Sequence, residues 1–179
     1  MLAVTGEYAS GVIRSAFTAV PRRVPVVTAR AAVVAELVLG VALAAVATAY
    51  GTVRLLLDSA GVHLSVTSDG GVRALVGAVV YLVLIAVIGT ALGWLVRSTA
   101  GGLAVFLALV YGLPRLALLL PRDVAATVVP YLPAEAGRAV MQLDADAAGL
   151  PPLAGLGVLT GYAVAAVWAA VLAARRRDV

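Results

Sequence analysis

The sequence predicts an all-α protein: a polytopic membrane helical bundle of four transmembrane helices, with an N-terminal amphipathic cytoplasmic helix and short outer helices. Three observations lead there. Four apolar runs, 31–57, 74–96, 102–120 and 153–174, are 19 to 27 residues long. At about 1.5 Å of rise per residue, helices of that length cross a hydrocarbon core of about 30 Å. Apolar residues form 63% of the chain and charged residues 12%, with a mean hydropathy of +1.08, whereas soluble domains are about 25% charged. The basic residues, 13 in all and every one an arginine, gather largely at the ends of the runs, as the positive-inside bias requires. The 179 residues therefore make one transmembrane domain, 1–179, with no room for a soluble catalytic domain.

Element by element, the chain begins with three apolar residues after Met1, too short for the core of a signal peptide. They read either as the tail of a helix that begins upstream or as a native start. Residues 5–20 place Tyr8, Val12, Ile13, Ala16, Phe17 and Val20 on one stripe at helical spacing, with Glu7, Ser10, Arg14 and Thr18 largely on other faces. Thr5 suits an N-cap and Glu7 the positive end of the helix dipole, while Pro21 ends the helix. Arg22 and Arg23 then fall at the lipid headgroups. Two readings of this amphipathic helix stand side by side: an element lying on anionic lipid, or one presenting a face to a cytoplasmic partner.

The first span, 31–57, carries Glu36 six residues beyond Arg30, about 9 Å along a helix. The loop after it holds His63, the one histidine, where solvation is its natural state. The second span, 74–96, contains Gly89 and Gly93, and the fourth, 153–174, contains Gly157 and Gly161. Glycines four apart let helix backbones approach closely in lipid, so these four are expected to serve helix packing. The third span, 102–120, carries Arg115 beside Pro114 and near Gly112. Charges inside a span cost about 2.5–3.5 kcal/mol at the bilayer centre and less toward its ends. Glu36 and Arg115 can therefore snorkel to water or line a polar seam inside the bundle. Segment 121–152 is too long for a simple link, and its Pro130 and Pro133 divide it into short helices that dip into the membrane. Asp144 and Asp146 within it read as solvated. Arg175, Arg176 and Arg177 close the last span as interface anchors.

Charge fixes the expected orientation. Segments 1–30, 97–101 and 175–179 hold eight arginines against Glu7 and Asp178, while 58–73 and 121–152 hold three against six acids. Both termini are therefore expected in the cytoplasm, in a multi-pass protein of the cytoplasmic membrane.

Several functions are excluded. The chain has no cysteine, which removes thiolate metal sites and thiol nucleophiles. A single histidine cannot furnish a paired zinc motif, so no metal and no cofactor are expected. The absence of lysine rules out a P-loop, and no serine sits in a G-x-S-x-G elbow. The sequence is not that of an enzyme, and the placement of its arginines speaks for lipid rather than nucleic acid.

Four stretches carry a family resemblance: TGEYASGVIRSAFTAVPRR at 5–23, RSTAGG at 97–102, YLPAEAG at 131–137 and RRRD at 175–178. In this order they resemble segments of type-2 ABC transporter permeases, membrane subunits that work as dimers with separate ATPase subunits. The resemblance implies that 5–20 is the cytoplasmic coupling helix, with Glu7, Tyr8, Ile13, Arg14 and Phe17 docking on the ATPase. It also implies re-entrant outer helices after the third span, and partners in an ABC ATPase subunit and a second permease subunit, identical or not. That family has six spans per subunit and this sequence matches the last four, so two spans are expected upstream of residue 1. The function expected is that of a permease subunit of an ATP-driven exporter. The alternative is a four-span membrane scaffold or regulatory protein that transports nothing.

Overall fold

The structure, a computed structural model, describes residues 23–59, 70–96, 98–143 and 149–176, and among them there is no β-strand. Helix α1 runs from Arg23–Ser59, α2 from Gly71–Val96, α3 from Thr99–Leu107 and α4 from Leu113–Ala117. The short helices α5, Arg122–Val128, and α6, Pro133–Met141, follow, and α7 spans Pro152–Arg176. Four stretches are long and apolar enough to cross a membrane: Thr28–Ser59, Gly71–Val96, Thr99–Ala117 and Pro152–Ala174. The chain is thus an all-α, multi-pass membrane bundle. The amphipathic helix expected at 5–20 lies outside the described residues.

Local chemistry explains each helix. In lipid every backbone polar group needs an internal partner, which a continuous helix supplies. Three threonine hydroxyls within the spans find partners in the same way. Thr48 donates to the Ala44 carbonyl at 2.7 Å, Thr52 to Thr48 at 2.9 Å and buried Thr90 to Ala86 at 2.8 Å. The turn into α2 uses Gly70 at φ +91°, a conformation open to glycine. Ser98, extended at φ −129°, caps α3 by accepting from the Gly101 N–H at 3.3 Å, and this cap turns the chain from α2 into the third span.

The third span is not a uniform helix. Between α3 and α4, Ala108–Gly112 forms a π-turn, with the Leu113 N–H reaching back to the Ala108 carbonyl. Pro114 accounts for its place. A proline ring collides with the carbonyl four residues earlier and offers no N–H, and widening the preceding turn relieves that collision. The last turn then tightens, Leu118, Leu119 and Leu120 donating to the carbonyls three residues back at 3.0–3.2 Å, before Pro121 starts α5.

Helix α2 is the centre of the bundle, packed against α1, α3, α6 and α7. Near its C-terminus Ala91 and Trp94 are buried against Ala170 and Val171 of α7, and the Arg30 guanidinium of α1 lies 5.8 Å from the Trp94 ring centroid. Nearer its N-terminus Tyr81 and Leu84 pack with Ala136, Val140 and Leu159. Helix α1 therefore runs antiparallel to α2 and α7 parallel to it, and the described chain begins and ends at the same end of the bundle.

The opposite end is built around α6. A Cβ at Gly70 would overlap the Leu143 carbonyl, one at Gly77 the Val140 carbonyl, and one at Gly137 the Tyr81 ring. Descending α2, the chain thus meets α6 in reverse order, so the N-terminus of α6 is its deepest point. Gly155 of α7 closes the other side, where a Cβ would stand 2.6 Å from the Ala136 carbonyl. Helix α5 and the 3₁₀ turn Val129–Tyr131 carry the chain from the end of the third span down to that point. The segment folds back along α2, and Arg73 anchors its returning end by donating to the Gln142 and Leu143 carbonyls at 3.2 and 2.9 Å.

Candidate functional site

Two grooves of about 470 and 460 Å³ lie on the bundle, and their linings are almost wholly apolar. A smaller cleft of about 300 Å³ is where polar groups converge, and such groups are what fix a ligand's orientation. Tyr81 of α2, Tyr111 of the π-turn, Arg115 of α4, and Glu135 and Arg138 of α6 all line it.

Each side chain owes its place to the elements just described. Tyr81 lies flat against α6 because residue 137 has no side chain to exclude it. Glu135 stands in the first turn of α6, where the positive end of the helix dipole favours a carboxylate. Arg138, three residues on and so on the same face, pairs with it at 3.2 Å. Glu135 is the better shielded of the two, 26% exposed against 72% for Arg138. The π-turn inserts an extra residue ahead of α4 and so sets which way Arg115 and Tyr111 face. Such turns recur at functional sites.

The electrostatics follow from the inventory. The cleft holds two guanidinium groups and one carboxylate, and that carboxylate is engaged by Arg138. Among the described residues the Arg115 side chain has no ion pair or hydrogen bond. One positive charge is left over. It sits in apolar surroundings, since Leu113, Leu116, Leu118 and Leu119 on the same stretch are 40–82% exposed on the bundle surface.

Of the residues singled out in the sequence, Arg115 is the one this cleft gathers. Glu36 is exposed on α1 toward the opposite end, so the two intramembrane charges do not share a seam. Gly89 meets the Phe106 ring at ordinary contact distance, 3.5 Å, and Gly93 is buried. Gly157 and Gly161 face open space within the chain, and close helix approach is made instead at Gly77, Gly137 and Gly155. Arg23 begins α1, and Arg175 and Arg176 end α7. Glu7, Tyr8, Ile13, Arg14, Phe17, Arg22 and Arg177, with His63, Asp144 and Asp146, lie outside the described residues.

Sequence reasoning passed over Tyr81, Tyr111, Glu135 and Arg138. The i,i+3 spacing of Glu135 and Arg138 on a short helix with proline at its start was the one signal available. It also passed over Arg54, which lies inside the first apolar run and pairs with Asp58 at 3.8 Å. Comparison with known proteins finds no matching family, no matching curated protein and no matching solved structure.

Proposed function

We propose that this chain is the membrane-spanning permease part of an ATP-driven transporter of the type-2 ABC class. In that role it moves substrate outward across the cytoplasmic membrane while a separate subunit hydrolyses ATP. The observation that carries the reading is the ordered series of four family-like stretches, because each falls at a boundary where such a subunit would use it. The stretch 5–23 precedes the first span. The stretch 97–102 overlaps the start of α3, with Ser98 as its cap, 131–137 leads into α6, and 175–178 follows the last span. A helix of the 5–20 kind would transmit nucleotide-driven motion to the spans through an apolar face carrying Tyr8, Ile13 and Phe17, with Glu7 and Arg14 at its polar margin. The subunit would act as a dimer, with a second permease subunit across the bundle.

The test is a mild-detergent pull-down from the native host through a tag at Val179. The expected result is an ATPase subunit retained by the unsubstituted chain. The double substitution Ile13→Asp and Phe17→Asp is expected to lower that retention about tenfold or more, since two buried apolar contacts are lost to charge. Retention of no ATPase by the unsubstituted chain would favour a four-span scaffold and end the transport reading.

A further inference from the structure

We infer that the cleft formed by Tyr81, Tyr111, Arg115, Glu135 and Arg138 binds the phosphate headgroup of an anionic lipid, with Arg115 as its principal contact. The inference goes beyond the transport reading, because lipid binding needs neither nucleotide nor partner.

Arg115 lies less than one turn from the end of the third apolar stretch, Thr99–Ala117. A guanidinium at such a place is stabilised by an anion, and intramembrane arginines are ordinarily paired. Among the described residues the protein supplies Arg115 with none. The one carboxylate lining the cleft, Glu135, is committed to Arg138 at 3.2 Å. The anion must therefore come from outside the bundle, and a guanidinium fork fits phosphate oxygens with two parallel hydrogen bonds. Tyr111, 60% exposed, brings a hydroxyl donor to the same cleft.

The surroundings select a lipid over a free ion. Leu113 and Leu116 flank Arg115 on α4 and are 40% and 60% exposed, and Leu118 and Leu119 beyond them are 76% and 82% exposed. This leucine surface gives acyl chains a place to lie while the headgroup reaches Arg115. A free phosphate would gain nothing from it and would have to shed its water at an apolar rim.

The experiment uses the full chain, purified in mild detergent without nucleotide. It is mixed with equal amounts of phosphatidylglycerol and phosphatidylcholine, and the bound lipids are counted by native mass spectrometry. The unsubstituted chain is expected to prefer phosphatidylglycerol by about tenfold, the worth of one charge-assisted contact. Arg115→Gln is expected to abolish the preference. Glu135→Gln is expected to strengthen it by freeing Arg138, a gain that no folding defect would mimic. Arg54→Gln, which removes one positive charge elsewhere, is expected to leave it intact. A preference that survives Arg115→Gln, falls in Glu135→Gln, or is lost equally in Arg54→Gln would overturn the assignment. Displacement of the lipid by millimolar inorganic phosphate would also overturn it, by making the ligand a free anion.

Discussion

A residue's value in this bundle depends on what a single added carbon would strike. At Gly77 and Gly155 that carbon would meet a backbone carbonyl of α6, which cannot swing away as a side chain can. Gly77→Ala is therefore expected to force α6 off α2 and cost about 1–3 kcal/mol, the usual penalty of overpacking. The measurement is the midpoint of thermal unfolding in detergent. Gly157→Ala and Gly161→Ala are the contrast, since an added Cβ there meets nothing, and each should stay within about 0.5 kcal/mol of the parent. The four-residue spacing of glycines thus misdirects: it is present at Gly157 and Gly161, where the chain makes no close approach. The glycines that matter, at 77, 137 and 155, are scattered over three helices and share no pattern in sequence. What makes them matter is a neighbour far away along the chain, and a one-dimensional reading has no access to that neighbour.

Among the elements, hydropathy was sufficient for the long helices and insufficient for the short ones. The apolar runs 31–57, 74–96 and 153–174 lie within α1, α2 and α7, because an apolar stretch in lipid has one way to satisfy its backbone. The run 102–120 fared less well. The membrane-length stretch begins earlier and ends at Ala117, and the π-turn inside it left no trace beyond Pro114. The seat of α6 against α2 and α7 was equally hidden, for it is set by three glycine contacts rather than by its own sequence. The π-turn can be tested as a geometric device. Replacing Pro114 with Ala would let the turn close to α-helical hydrogen bonding and, with the extra residue retained, rotate Arg115 by about 100° relative to α3. The expected result is a chain that still inserts four spans but has lost the preference for phosphatidylglycerol, as in Arg115→Gln.

For the whole molecule, the first question is which end of the bundle faces the cytoplasm. From the arginine counts we propose that the two termini lie there, and the fold sets Arg30 of α1 beside Trp94 of α2 at the same end as the close of α7. Because the chain has no cysteine, single cysteines report orientation without background. Asp123→Cys, at exposed α5, is expected to react with a membrane-impermeant maleimide in intact cells. Val179→Cys is expected to react only after permeabilisation, and the reverse pattern would invert the assigned orientation. The interlock around α6 also bears on how the molecule is made. Synthesis runs from the N-terminus, and a long apolar helix such as α1 is complete in lipid by itself. Helix α6 is not, because one of its walls is α2, already inserted, and the other is α7, still within the ribosome when α6 emerges. The charged segment must wait near the bilayer surface until its last wall is delivered, so the cleft at Arg115 is among the final features of the protein to exist.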